Sequence, residues 1–265
     1  GMEWMVVESL PVHEDIKRRG GDYEQYIQNY KQSLQNLAES GIKVVAYNFM
    51  PILDWVRTDH AHINADGTKA LLFDEVAFIF FDVYLLKRPG AENDYSKDQL
   101  IEAKNYGNSL DQSEKEKLFK NVLLGLPGSD ERFTPEKMLE LLNAYQGIDD
   151  DALRKNLVHF LSEVAPVAEE LGVKLAIHPD DPPFSVLGLP RVVSTGKDIE
   201  YILSAVPENA NGLCYCTGSL GARPNNDLVR VIDQHGDRIH FLHLRNVKRE
   251  DGKRFRESEH LKGDN

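Results

Sequence analysis

Three side chains able to bind a divalent transition metal stand at the ends of three predicted strands. His178, Cys216 and His243 follow short apolar runs and are separated by 38 and 27 residues, each about one strand-plus-helix unit. Because ligand sites of parallel α/β folds lie at the carboxyl ends of the strands, we expect these side chains at one rim. Neutral imidazole and thiolate suit Zn, Fe, Mn or Co, usually with a further carboxylate ligand. The spacing therefore predicts a metal site.

The same residues also have a purely structural interpretation. A single histidine at a strand end is more often a hydrogen-bonded rim residue, and cysteine is among the most frequently buried residue types. Three candidate ligands at equivalent positions of successive strands favour the metal site instead. Cys214 and Cys216 share one face of their strand because the side-chain period is two. We prefer Cys216 because it lies nearer to the carboxyl end.

Five apolar, β-branched runs of strand length position these residues. Nearly continuous apolar runs are typical of parallel strands that are buried on both faces. Helical patterns separate the runs, so the order predicts βαβ units and a parallel sheet. The predicted strands are 3–8, 42–48, 173–178, 212–216 and 239–244, and the main predicted helices are 22–39, 150–171, 198–206 and 226–235.

The segment 49–172 is too long for a single crossover between two strands. Its pattern is mostly helical, with loop signals at Asp66-Gly67, Pro89-Gly90 and Pro127-Gly128. We therefore predict a helical insertion over the edge of the sheet. No composition shift marks a domain boundary, so residues 1–265 are predicted to form a single domain.

Composition and charge limit the possible partners. The chain has 31 basic and 43 acidic residues, for a net charge of −12, and 41% of its residues are hydrophobic. This balance argues against a nucleic-acid partner and against an anionic membrane surface. The first residues show no basic region followed by an apolar one, and two cysteines two positions apart cannot form a disulfide framework. We expect a cytoplasmic protein with reduced thiols.

Several longer strings, distributed from one end of the chain to the other, are specific enough to compare with known families. They are 8–17 (ESLPVHEDIK), 47–51 (YNFMP), 54–59 (DWVRTD), 86–91 (LKRPGA), 177–183 (IHPDDPP), 216–219 (CTGS), 243–247 (HLRNV) and 257–261 (ESEHL). Together they resemble the mannonate dehydratase family. The resemblance implies a hydro-lyase of hexuronate breakdown that converts D-mannonate to 2-keto-3-deoxy-D-gluconate and water.

The resemblance also implies a fold and a ligand set. Members of the family have a TIM (β/α)8-type barrel of the xylose-isomerase-like kind. They bind Mn²⁺ or Fe²⁺ through two histidines, a cysteine and an aspartate. His178, Cys216 and His243 match three of these ligands by motif, in agreement with the strand-end argument.

Substrate contacts and partners follow from the same resemblance. Asn48, Arg57 and Arg245 are candidates for substrate binding by motif position, and either arginine could pair with a carboxylate through two hydrogen bonds. The expected partners are a small sugar-acid substrate and a second copy of the chain in a homodimer.

The chain departs from the family pattern at both ends. Family members have two further strands before the segment that opens at Gly1. They also have a last strand bearing Arg-Pro-Asp-His, which supplies the fourth ligand and a proposed acid/base histidine. Asp264 lies in a loop and is not assigned as that ligand. We therefore expect an incomplete barrel of about five strands, because either the sequence omits part of a longer protein or the chain is truncated.

Two other functions remain open. A sugar or sugar-acid isomerase or epimerase could use the same barrel, since a metal near a polyol serves both reactions. A catalytically inactive fragment that binds metal or substrate is the other alternative. The sequence assigns no catalytic acid or base.

Overall fold

The computed structural model describes residues 1–124 and 133–265, so the predicted loop at Pro127-Gly128 lies outside the described residues. Two compact units divide the chain. The first unit comprises Gly1–Pro51, Gly147–Phe184 and Pro190–Arg245; the second comprises Ile52–Gln146, Ser185–Leu189 and Asn246–Asn265. The single domain expected from the sequence stays a prediction.

Strands and α-helices account for most of the described chain. The strands are β1 (Val6–Glu8), β2 (Val44–Tyr47), β3 (Asp59–Ile63), β4 (Lys69–Asp74), β5 (Lys174–Ile177), β6 (Asn211–Cys216), β7 (Ile239–His243), β8 (Asn246–Arg249) and β9 (Arg254–Ser258). The α-helices are α1 (Glu14–Arg18), α2 (Tyr23–Glu39), α3 (Glu75–Phe80), α4 (Lys97–Ser109), α5 (Gln112–Leu123), α6 (Pro135–Asn143), α7 (Asp150–Leu171), α8 (Gly196–Ala205), α9 (Thr217–Gly221) and α10 (Leu228–His235). A π-helix covers Phe81–Leu86, and 3-10 turns cover Ala91–Asp94 and Gly236–Arg238.

The first unit contains a five-stranded sheet in the order β1-β2-β5-β6-β7, with every neighbouring pair parallel. Each of these strands falls on one of the five runs predicted from the sequence. Helices α2, α7, α8 and α10 match the four predicted helices within two residues at each end. The predicted α/β class and the partial TIM-type barrel of five strands are therefore confirmed.

This sheet is strongly curled. In a flat sheet, β1 and β7 at the two edges would be separated by about 19 Å, since neighbouring strands lie about 4.8 Å apart. Instead, Glu8 Oε2 at the end of β1 lies 2.9 Å from His243 Nε2 at the end of β7. Such curvature is what an α/β barrel requires, and it brings the carboxyl ends of all five strands around one centre.

The two faces of the sheet carry different residues because side chains alternate along each strand. Large apolar side chains on one face, such as Val45, Leu175 and Leu213, belong to the main hydrophobic core with helices α2 and α7. Smaller residues occupy the other face, where Ala46, Ala176 and the glycine at position 212 lie at one level. This small-residue face is the concave side, and it leaves room for polar groups at the strand ends.

Helix α2 shows how the sequence pattern determines this packing. Ile27, Tyr30 and Leu34 recur at three- and four-residue spacing and are buried. The Tyr30 ring meets the Phe160 ring of α7 edge to face, with 5.0 Å between centroids. Helix α7 ends at Leu171, and the next residue, Gly172, caps it with a φ of 67°, a value that favours glycine.

The second unit contains a four-stranded antiparallel sheet in the order β3-β4-β9-β8. The segment 49–172, predicted as a helical insertion, holds helices α3 to α7 and also the strands β3 and β4. Strands β8 and β9 read NVKR and RFRES, and such charged runs are not typical of strands. Ion pairs between neighbouring strands, such as Arg254 with Asp74, neutralise part of that charge. These pairs form only when segments far apart in the chain come together in the sheet.

Among the described helices, none combines the length and apolar character needed to cross a bilayer.

Candidate metal centre

The structure brings all three predicted ligands together at the carboxyl edge of the parallel sheet. His178 follows β5, Cys216 ends β6 and His243 ends β7. The potential ligand atoms of His178, Cys214 and His243 lie within 4.8 Å of one another. Cys216 forms side-chain hydrogen bonds with both imidazoles. The cluster therefore contains two imidazoles and two sulfurs, and the preference for Cys216 over Cys214 stays a prediction.

A β-bulge directs His243 into this cluster. Leu213 pairs with Ile239, but Cys214 pairs with Phe241 and Cys216 with His243. One extra residue of β7 therefore lies between these pairs. After it, the side chains of β7 point to the opposite faces of the sheet from those they would otherwise occupy. Because of this reversal, His243 points to the same concave face as the two cysteines.

His178 has the anchoring expected of a metal-binding histidine. Its Nδ1 lies 2.7 Å from the carbonyl oxygen of Pro179, so Nδ1–H donates to that oxygen and Nε2 is the ring nitrogen left for other partners. Burial lowers the pKa of His178, but the hydrogen bond and charge of Cys216 raise that pKa further, to above its usual value. The bond to Pro179 thus fixes the orientation of the ring, and Nε2 would bind a metal ion after giving up its proton.

The two cysteines differ in their acid–base behaviour. Burial raises the pKa of Cys216, but hydrogen bonds from His178 and His243 outweigh this effect and lower it to about 5. Burial raises the pKa of Cys214 above its usual value, despite a hydrogen bond with His243. Cys216 is therefore a thiolate at neutral pH and Cys214 a thiol. Because the thiolate is the metal-binding form, the donor chemistry of this cluster fits a divalent transition metal, and Cys216 as its sulfur ligand stays a prediction.

Glu8 adds a carboxylate to the cluster from the far edge of the sheet. Its Oε2 accepts a hydrogen bond from His243 Nε2 at 2.9 Å, and this bond lowers the pKa of Glu8. Hydrogen bonds with Cys214, Cys216 and Glu8 raise the pKa of His243 to about 12. Sequence patterns alone assign no role to Glu8, although its position at the end of the first strand is a usable signal.

The predicted substrate-binding residues have different surroundings. Asn48 is buried directly after β2, and its Oδ1 accepts a hydrogen bond from the Met50 backbone N–H at 3.3 Å. Arg245 is part of the first unit, where its Nη2 donates to Asp181 Oδ2 at 2.5 Å. Both residues belong to the same unit as the metal-binding cluster.

Arg57 belongs to the second unit. Its guanidinium has no exposed surface and packs against the rings of Trp55 and Phe255, with its central carbon 4.8 and 5.0 Å from the two centroids. Its Nη1 donates to the Val56 carbonyl oxygen. The substrate-binding roles of Asn48, Arg57 and Arg245 stay predictions.

A curled parallel sheet with imidazole and thiolate groups at its carboxyl edge defines an α/β-barrel protein with a candidate divalent-metal centre. The family model described as D-mannonate dehydratase (UxuA) matches residues 1–265. A mannonate dehydratase of Marinomonas sp. (strain MWYL1) is 53% identical over 264 residues, which cover 99% of this chain and 68% of the relative. A mannonate dehydratase of Chromohalobacter salexigens is 52% identical over 265 residues, which cover 100% of this chain and 68% of the relative.

A solved structure agrees with these relatives. The crystal structure of mannonate dehydratase from Streptococcus suis serotype 2 superposes with a TM-score of 0.73 at 33% identity. This match covers 100% of the chain described here and 62% of the other. The chain belongs to the mannonate dehydratase family, and the resemblance inferred from the sequence is confirmed. It spans between about three fifths and two thirds of the length of these relatives.

Proposed function

We propose that this chain carries the metal centre of a hydro-lyase that converts D-mannonate to 2-keto-3-deoxy-D-gluconate and water. The observation that carries the proposal is the cluster of His178, His243 and Cys214, whose potential ligand atoms lie within 4.8 Å of one another, with Cys216 beside both imidazoles at the carboxyl edge of the parallel sheet. Family membership supports the substrate, because the relatives are named for this activity.

The reaction explains why such a centre is needed. The proton on C2 of mannonate lies next to a carboxylate and is only weakly acidic, and the C3 hydroxyl must leave as water. A divalent ion would supply Lewis-acid stabilisation of the enolate charge that develops on the carboxylate, an effect of several kcal/mol. The resulting enol then becomes the C2 ketone.

The residues of this chain have separate tasks in the proposal. His178, Cys216 and His243 would hold Mn²⁺ or Fe²⁺, with Pro179 orienting the first ring through its carbonyl group. Asn48 would bind a substrate hydroxyl, and Arg245, which belongs to the same unit as the cluster, would pair with the carboxylate. The general acid and base are not assigned.

The setting of the protein forms part of the proposal. Both cysteines are free and buried, which supports a reducing compartment and hence the cytoplasm. A pathway of hexuronate breakdown and a homodimer are proposed from the family. Light scattering of the purified chain measures the oligomeric state directly.

The metal centre is tested by comparing His178→Ala and Cys216→Ser with Cys214→Ser. We expect the first two variants to lose most of their bound Mn²⁺ or Fe²⁺ because each removes a ligand. Cys214→Ser tests the other sulfur of the cluster and should lose less metal, since the Cys214 thiol is protonated. Ser162→Ala, which removes an exposed hydroxyl from α7, is the matched control. Metal content after dialysis is the measurement. Undiminished metal in both His178→Ala and Cys216→Ser would contradict the proposal.

The reaction is tested separately by product analysis. With D-mannonate and either metal ion, a 2-keto-3-deoxy acid supports dehydration. A product with an unchanged molecular formula would support the isomerase or epimerase instead. Metal binding without conversion would support a binding fragment and contradict the proposed activity of this chain.

A further inference from the structure

The Ser219 hydroxyl contacts three polar groups behind the metal-binding cluster. Its Oγ lies 3.3 Å from Cys216 Sγ, 3.1 Å from Asp181 Oδ2 and 2.9 Å from Arg245 Nη2. The Ser219 side chain has no exposed surface, and Asp181 is 1% exposed. The contacts of Ser219 with Cys216 and Asp181 are therefore shielded from water, and hydrogen bonds are electrostatically stronger in such a low-dielectric interior.

The arrangement determines where the single hydroxyl proton goes. The guanidinium of Arg245 donates to the Ser219 oxygen, so the hydroxyl proton is left for Asp181 or Cys216. Asp181 Oδ2 already accepts a charge-assisted hydrogen bond from Arg245 at 2.5 Å. When Cys216 is a thiolate bound to a metal ion, its sulfur is an anionic acceptor, and the hydroxyl proton is directed to it.

Local structure holds Ser219 in this place. Ser219 follows Cys216 by three residues in the short helix α9, so one helical turn brings its hydroxyl back toward the sulfur. Gly218 lets the Arg245 side chain pass, because a Cβ at this position would collide with Arg245 Nε. Thr217 Oγ1 also donates to the Arg245 carbonyl oxygen at 2.5 Å, which ties the segment after β7 to the start of α9.

We propose that Ser219, held by Asp181 and Arg245, is a positioning residue that donates a hydrogen bond to the metal-bound sulfur of Cys216. This inference rests on the proposed metal centre. The hydrogen bond fixes the direction of the sulfur lone pairs and withdraws electron density from them. Mutating a residue that hydrogen-bonds to a metal ligand commonly lowers metal affinity by about 10- to 100-fold.

Co²⁺ is a suitable probe because its charge-transfer absorption reports directly on the sulfur ligand. In Ser219→Ala, we expect the sulfur-to-cobalt band to move to longer wavelength, since the sulfur becomes more electron-rich. We also expect Co²⁺ affinity to fall by about 10-fold or more. Ser219→Thr retains the hydroxyl and should restore both the band position and the affinity. Ser162→Ala removes an exposed hydroxyl from α7 and should change neither.

Two outcomes would overturn the inference. One is a Ser219→Ala protein whose band position and affinity equal those of the unmodified protein. The other is failure of Ser219→Thr to restore what Ser219→Ala loses. If Ser219→Ala does not fold, Asp181→Asn provides a second test. It removes the carboxylate that competes for the Ser219 proton, so the hydrogen bond to the sulfur strengthens and the band is expected to move to shorter wavelength. An unchanged band would overturn the inference.

Failure of the underlying metal centre gives a different result. In that case the unmodified protein itself would show no sulfur-to-cobalt band that disappears in Cys216→Ser. A normal band in the unmodified protein that Ser219→Ala leaves unchanged would contradict only the role of Ser219.

Discussion

Cys214 and Cys216 are two residues apart on one strand, yet their surroundings favour a neutral thiol at Cys214 and a thiolate at Cys216. Hydrogen bonds from two imidazoles lower the pKa of Cys216 to about 5 in spite of burial, whereas burial keeps the pKa of Cys214 above its usual value. The free energy of a thiolate depends on the groups it contacts, not on its position in the sequence. The difference between the two sulfurs therefore arises at the scale of single contacts.

A prediction at the residue scale concerns Glu8. Its carboxylate accepts from His243 Nε2, so Nδ1 is the ring nitrogen that would bind a metal ion after the ring loses its second proton. We expect Glu8→Ala to weaken Mn²⁺ binding by about 10- to 100-fold, because the ring loses its orientation. Glu8→Gln should weaken binding less, since its amide oxygen can still accept a hydrogen bond. Calorimetric titration measures both affinities.

The matched control for this prediction is Glu39→Ala, which removes an exposed acid at the end of α2. It changes the net charge by the same amount, so it separates the local contact from long-range electrostatics. Equal Mn²⁺ affinities for Glu8→Ala and Glu39→Ala would show that Glu8 does not act on the metal centre.

At the scale of elements, the bulge in β7 makes the site possible. His240 is the extra residue, and its Nε2 donates to the Asn209 carbonyl oxygen at 3.0 Å. Burial lowers its pKa to about 4, so the ring is neutral at physiological pH. Gly212 gives it space, because a Cβ there would collide with the His240 ring and the Arg238 carbonyl oxygen.

Gly212→Ala should therefore destabilise the first unit and disturb the direction of β7. We expect a loss of about 1–3 kcal/mol in the free energy of unfolding, the usual cost of overpacking. Metal affinity should fall as well, because His243 follows the bulge. Denaturant unfolding and metal titration are the measurements.

Gly20→Ala is the matched control for Gly212→Ala, since a Cβ at position 20 meets no neighbouring atom within 4 Å. Gly20→Ala should change the free energy of unfolding by no more than about 0.5 kcal/mol, as most surface substitutions do. A Gly212→Ala protein as stable as this control would show that β7 accepts the added methyl group without strain.

At the scale of the whole molecule, every candidate ligand belongs to the first of the two units. A ligand that binds the folded form alone stabilises it by about 2.7 kcal/mol at 100 times its dissociation constant. We expect Mn²⁺ at that concentration to slow hydrogen exchange in peptides from β5, β6 and β7. Added chelator should reverse the effect.

His178→Ala provides the comparison for this experiment. Its exchange should be insensitive to Mn²⁺, because one of the ligands is missing. Equal protection of His178→Ala and the unmodified protein by Mn²⁺ would place the stabilising site elsewhere.

The sequence by itself determined the parallel strands, the four main helices around them and three candidate ligands. These features depend on local patterns: apolar runs of strand length, three- and four-residue helical spacing, and polar residues directly after strands. His178, Cys216 and His243 could be found in this way because each lies at or directly after the end of its strand. The family likeness was also readable, since its strings are contiguous.

Only the tertiary structure decided which groups surround those ligands. Glu8 reaches His243 because the sheet curls, and Ser219, Asp181 and Arg245 meet because helix α9 and the segments after β5 and β7 converge beside Cys216. The antiparallel sheet of the second unit likewise depends on pairing between segments far apart in the chain. The physical reason is that curvature, bulges and ion pairs between distant segments arise from non-local packing, which leaves no periodic pattern in the sequence.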